Sequence, residues 1–108
     1  MLDRINGRGA LEALIRKELL YGIKTNGNHH SDHEAWAVLQ EEVEELIEEV
    51  EDIKVMTANY WRQVRNDAPR DNKHKQLEAI YSAALRSACE AIQVAAMALK
   101  ADTVKEIK

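Results

Sequence analysis

Two groups of oxygen-bearing side chains in this 108-residue chain have the types and spacing of a hard-metal site. The first is the run Glu41-Glu42-Val43-Glu44-Glu45. The second is Glu90-Ala91-Ile92-Gln93. Residues three apart share one face of a helix, so Glu42 with Glu45, and Glu90 with Gln93, each form a pair on one face. Glu90 and Gln93 are the only polar residues from Ala88 to Leu99. A segment apolar nearly all round is expected to be buried. A carboxylate inside it is costly unless it is paired or bound to a metal. The ordinary alternative is a buried Glu90 satisfied by an Arg or Tyr elsewhere in the chain.

Three helices are expected to carry these groups. The first is read over about Gly9 to Tyr21, where Leu11, Leu14, Ile15 and Leu19 follow helical spacing and Glu18 is the one polar interruption. Gly22 to Asn28 reads as a loop. Ser31-Asp32-His33-Glu34 fits a capping box, with Ser31 as the cap and Glu34 reaching back. The apolar series Ala35, Val38, Leu39, Val43, Leu46, Ile47, Val50, Ile53 then keeps the helical period, and nothing breaks the helix before Asn66-Asp67-Ala68-Pro69. That predicts a helix of roughly 33–35 residues, on the order of 50 Å long. Pro69 ends it, and Asp71 or Asn72 caps a third helix over about Lys73 to Ala101. This last helix is rich in alanine, which permits close approach of a neighbour. The short connection favours an antiparallel hairpin.

The acidic run divides on a helical wheel. Glu41, Glu44, Glu48, Glu51 and Asp52 fall outside the apolar arc and read as solvated. Glu42 and Glu49 fall at its edge, with Glu45 beside them. In an antiparallel hairpin, residues at one level have a constant index sum. Glu45 with Glu90 and Glu42 with Gln93 both sum to 135, which places the turn between Asp67 and Ala68, beside Pro69. Three carboxylates and an amide oxygen then converge. Such a set suits Mg²⁺ or Mn²⁺, and without a cation the carboxylates repel.

With these residues in view, the chain resembles the MazG-like, all-α nucleoside triphosphate pyrophosphohydrolases. Their signature is Glu-Glu-x-x-Glu on one helix and Glu-x-x-Asp on a later one. Glu41-Glu42-Val43-Glu44-Glu45 matches the first part, and Glu90-Ala91-Ile92-Gln93 the second, with Gln93 where the family has Asp. The resemblance covers about residues 30–101. The spacer of 44 residues between Glu45 and Glu90 is longer than is usual for the motif. The resemblance implies Glu42, Glu45 and Glu90 as metal ligands, with Gln93 at the fourth place. Glu49, one turn beyond Glu45, is a candidate replacement for the missing carboxylate. It also implies cleavage between the α and β phosphates, with release of a nucleoside monophosphate and pyrophosphate. Glu41 or Glu45 is the candidate acceptor of the attacking water's proton. The family forms dimers and tetramers, so a homodimer or homotetramer is expected.

Other residues are weighed beside this set. Trp36 is a candidate for stacking on a nucleobase, or a core contact at the helix start. Arg62, Arg65, Arg70, Lys73 and Lys75 lie about five helical turns from the acidic group, roughly 27 Å away along one subunit. Arg16 and Lys17, or a neighbouring subunit, are the expected cations for the phosphates. Tyr60 and Trp61 read as packing or interface aromatics. His29, His30 and His33 read as a solvated loop cluster, and Cys89 as a buried, inert thiol. Lys100 to Lys108 is expected to fray.

Charge and composition limit the remaining classes. Residues 31–53 carry ten acidic and no basic side chains, whereas residues 54–108 carry ten basic and six acidic ones. A broad basic face for duplex nucleic acid is not expected. No apolar run reaches the ~18 residues of a membrane span, and the N-terminus lacks a secretory signal's apolar stretch. With one cysteine no internal disulfide forms, and a cytoplasmic protein is expected. The expected fold is a single all-α domain over residues 1–108. A long antiparallel hairpin and a shorter N-terminal helix form a four-helix-type bundle completed by oligomerisation. The expected function is Mg²⁺-dependent (or Mn²⁺-dependent) nucleoside triphosphate pyrophosphohydrolysis. The alternatives are an inactive helical oligomerisation or partner-binding protein of the same fold, and a dimeric-dUTPase-like enzyme.

Overall fold

The computed structural model describes residues 7–104. They form α1 (Gly7–Asn26), α2 (Asp32–Arg65) and α3 (Arg70–Asp102), with no strand among the described residues. The chain divides into two compact units, one comprising Met1–Val43 and Glu90–Lys108, the other Glu44–Cys89.

The first unit holds α1, the start of α2 and the end of α3. Helix α1 runs to Asn26, through the segment expected to be a loop. Two features accompany its continuation past Gly22. Thr25 Oγ1 donates to the Tyr21 carbonyl at 2.5 Å, so its side chain is held along the helix. Gly22 faces Met97, whose Cε lies 3.7 Å from where a glycine Cβ would stand. That is ordinary contact distance, so Gly22 lies against Met97, which is buried. The helix stops at Gly27, whose φ of +70° is the left-handed conformation that ends helices, and its N–H donates to the Ile23 carbonyl at 2.8 Å.

Helix α2 has 34 residues, and Ser31 caps it. Ser31 Oγ accepts from the Glu34 N–H at 3.1 Å. The reciprocal bond is shifted by one residue from the expected capping box: Glu34 Oε2 accepts from the His30 N–H, at 3.4 Å.

In the second unit, α2 ends in a Schellman motif. The Ala68 N–H donates to the Gln63 carbonyl at 2.9 Å and the Asp67 N–H to the Val64 carbonyl at 3.2 Å, with Asp67 left-handed at φ +51°. Helix α3 then starts at Arg70, three residues before the expected start at Lys73. The Pro69 carbonyl accepts from the N–H groups of Asn72 and Lys73, so neither Asp71 nor Asn72 is the cap. A proline lacks the N–H that a helix start would leave orphaned, so the chain turns into α3 immediately after it.

The buried core is built from small residues. Among the described residues the buried apolar ones are Ala35, Ala96 and Met97 in the first unit and Ala83 in the second, and no large side chain among them is fully buried. Leu14, Leu20, Trp36, Val55, Trp61, Tyr81 and Leu85 are exposed, Leu85 by 55%. The segment from Ala88 to Leu99 is therefore not buried all round, as its composition suggested. Ala91, Ala98 and Leu99 are exposed, and so is Cys89, contrary to the expected buried thiol. Among the described residues only α1 and α2 are available to cover α3, too few helices to bury it all round.

The left-handed Asp67 yields a test. Replacing Asp67 by Gly removes the cost of holding a Cβ in that conformation, and replacing it by Val increases it, by about 1–2 kcal/mol in each direction at most. Urea unfolding midpoints should rank Gly above Asp above Val.

Candidate metal centre and adjoining cleft

The long, unbroken α2 sets Glu42 and Glu45 one turn apart, and within the first unit the end of α3 brings Glu90 to Glu42. One carboxylate oxygen of Glu42 and one of Glu90 lie within 4.8 Å of each other. Glu42 and Glu90 are half-buried and Glu45 is exposed. An oxygen-only set of this kind matches a hard divalent cation and not a thiolate- or imidazole-seeking metal.

Gln93 stands one turn beyond Glu90, and its Nε2 donates to Glu18 Oε1 at 2.6 Å. With the amide nitrogen engaged by Glu18, the amide oxygen is the end suited to a cation. Glu18 is a residue that sequence reasoning did not assign to the site. Its signal was present as the polar interruption in the apolar stripe of α1.

Glu42 and Gln93 also line a cleft of about 280 Å³ within the first unit, with Glu18, Tyr21, Thr25, His29 and Lys100. Two of these residues depart from expectation. His29 is only 8% exposed, where a solvated loop was expected; His30 and His33 are exposed. The His29 ring is held by its Nδ1, 3.5 Å from Glu34 Oε1, and its Nε2 is buried with no hydrogen-bond partner. Lys100, in a segment expected to fray, lies inside α3 and is 4% exposed. The Thr103 N–H and hydroxyl both donate to its carbonyl, which secures the end of the helix. Among the described residues Lys100 forms no ion pair.

The remaining candidates lie apart from this cleft. Glu49 accepts from Arg86 Nε at 3.1 Å, a bond within the second unit, and is not one of the three candidate carboxylates. Glu41 is exposed on α2 and is also outside the group. Trp36 is 65% exposed and borders a shallow depression with Asp32 and His33. Arg16 borders an apolar groove with Ile15, Ala95, Ala98 and Leu99, and Lys17 is exposed on α1; neither lines the cleft.

Glu34 ties the cleft to the start of α2. The His30 N–H bonded to its carboxylate holds its pKa below the ordinary Glu value, with smaller lowering contributions from His29 and an opposing one from burial. No family model, curated protein or solved structure matches this chain. No described helix is long and apolar enough to cross a membrane.

The lowered Glu34 carboxyl predicts a pH dependence. Its stabilisation is complete above the ordinary Glu pKa and is lost as the pH falls through the lowered value. Glu34→Gln should therefore be less stable than wild type at neutral pH, and the difference should shrink on acidification. Thermal melts across the acidic range measure it.

Proposed function

We propose that this chain is a divalent-metal-dependent nucleoside triphosphate pyrophosphohydrolase of the MazG-like type, releasing a nucleoside monophosphate and pyrophosphate. The observation that carries the reading is the approach of Glu42 and Glu90 within 4.8 Å, beside a cleft that Glu42 shares with Gln93, with Glu45 one turn along α2 from Glu42. Carboxylates this close repel one another, and a cation is the simplest relief.

Glu42, Glu45 and Glu90 would hold the metal, with the Gln93 amide oxygen beside them. Bound Mg²⁺ or Mn²⁺ supplies charge neutralisation on the phosphate oxygens and a fixed orientation for the attacking water. Glu45 would take the proton of that water as it adds to the α-phosphorus and the pyrophosphate leaves; Glu41, outside the group, is not placed for it. Gln93 carries no charge where the resembled family has Asp, so this site holds its metal less tightly than a four-carboxylate one.

The same reading makes α2 and α3 an antiparallel hairpin and completes the bundle with a second copy. Support for the hairpin comes from the Glu49–Arg86 bond and from the cleft shared by Glu42 and Gln93, two pairs with the index sum of 135. Support for a homodimer or homotetramer comes from the exposed Val55, Trp61, Tyr81 and Leu85. Apolar exposure on this scale is unusual for a monomer. A single cysteine fits a reducing, cytoplasmic setting, where nucleoside triphosphates are found. A second reading, a helical oligomerisation protein without catalysis, is favoured by the exposed apolar surface together with the neutral Gln93.

Pyrophosphate release from a panel of canonical and modified nucleoside triphosphates, with Mg²⁺ or Mn²⁺, tests the enzyme reading. Wild type should release pyrophosphate, and Glu90→Gln should lose at least about 100-fold, as expected for removal of a charge that acts on the transition state. Without divalent metal, Glu90→Gln should melt higher than wild type, because one repelling charge is gone. No release from any nucleotide, with wild type and variant melting alike with and without metal, would leave the scaffold reading. Separately, Leu85→Glu should lower the mass measured by light scattering from that of an oligomer to that of one chain.

A further inference from the structure

The cleft beside the carboxylates has a second chemical character, opposite in sign. Lys100 is 96% buried by residue surface, borders the cleft, and has no ion pair among the described residues. A cation in a buried residue without a counter-ion is costly, so such a group is expected to meet an anion. His29, on the same cleft, has an Nε2 that is buried and without a hydrogen-bond partner. Its Nδ1 faces the Glu34 carboxylate, which is itself fixed by the His30 N–H. With Nδ1–H given to Glu34, the ring is oriented and its Nε2 end is left for a ligand. In the imidazolium form both nitrogens donate, and the Nε2–H then suits an oxyanion.

We infer that His29 and Lys100 form a phosphate-binding subsite, which receives the polyphosphate part of a nucleotide while the base and sugar stay outside. The size of the cleft agrees with this division. About 280 Å³ is at or below the lower end of small-ligand pockets, enough for phosphate groups but small for a whole nucleotide. Glu18, Glu34 and Glu42 also border the cleft, so an anion enters against negative charge until a cation is present. Anion and metal binding are therefore coupled: each should raise the affinity for the other by the same factor. The subsite rests on the proposed function for the nucleotide as the source of the phosphate. It replaces Arg16 and Lys17, which lie outside the cleft, as the cations of the site.

Calorimetric titration with inorganic pyrophosphate, and with an α,β-imido deoxynucleoside triphosphate, in the presence of Mn²⁺, tests the subsite. Mn²⁺ binding alone is measured in parallel. Lys100→Met and His29→Asn should each weaken both anions by about tenfold or more, the loss expected for a charge-assisted hydrogen bond. His29→Asn retains a group near the Nδ1 position, whereas His29→Gln places an amide near Nε2 and should recover part of the affinity. Mn²⁺ affinity without anion should fall in none of these variants. Circular dichroism establishes that each is folded; if Lys100→Met is not, the two His29 variants decide alone. Unchanged anion affinity in the folded variants, or no anion binding by wild type, overturns the subsite even if Mn²⁺ binds. Absence of Mn²⁺ binding, with pyrophosphate affinity still dependent on His29 and Lys100, overturns the metal reading and leaves the subsite standing. Loss of pyrophosphate binding alone, with the nucleotide analogue unaffected, keeps the subsite but assigns it to the free anion.

Discussion

Close approach between helices lined with small residues is the constraint on which the rest depends. The buried apolar positions among the described residues are Ala35, Ala83, Ala96 and Met97, and Gly22 lies against Met97. Alanine contributes little hydrophobic area, so each buried contact is worth less than one made by Leu or Phe. What it provides instead is proximity. Within the first unit, α1 and α3 lie near enough for the short side chains of Glu18 and Gln93 to bond at 2.6 Å. A core of Leu and Phe would hold helices farther apart and leave that pair unmade. Packing and chemistry are coupled here, because the same small residues that limit stability allow polar groups from different helices to converge.

That convergence concentrates opposing charges in a small volume. Carboxylates, a buried lysine and a half-tethered histidine border the same cleft. Lys100 pairs directly with no carboxylate among the described residues, although three glutamates border the same cleft. Keeping such charges apart inside a fold has an energetic cost. Proteins retain arrangements of this type mostly where ligands complete them.

Much of the fold was legible because its signals are local. Ser31 with its cap, Pro69 with its turn, and the long apolar period of α2 all act within a few residues. Glu42, Glu45 and Glu90 drew notice for a similar reason, because oxygen-bearing side chains at helical spacing are a signal within a few residues of each helix. Gly22 misled because a glycine read alone signals a turn, whereas its place against Met97 depends on a residue 75 positions away. His29 and Lys100 were missed for the same reason. Each stands at the end of an element, where local reasoning predicts solvent, and each is buried by another part of the first unit. Cys89 failed in the opposite direction: an apolar segment is buried only if enough helices surround it.

The small-residue core also changes which positions tolerate variation. In most domains the large core side chains are the sensitive ones, and surface positions drift freely. In this chain the sensitive buried positions are small residues, since Ala83 and Ala96 are fully buried and a longer side chain at either must push its neighbours apart. Many of its largest apolar residues lie on the surface, where a monomer would accept polar replacements with little loss. A set of natural relatives would therefore carry an inverted record: near-fixed alanines within, and variation among the aromatic and aliphatic residues outside. Any large exposed residue that resists substitution in such a set marks the surface that another molecule covers.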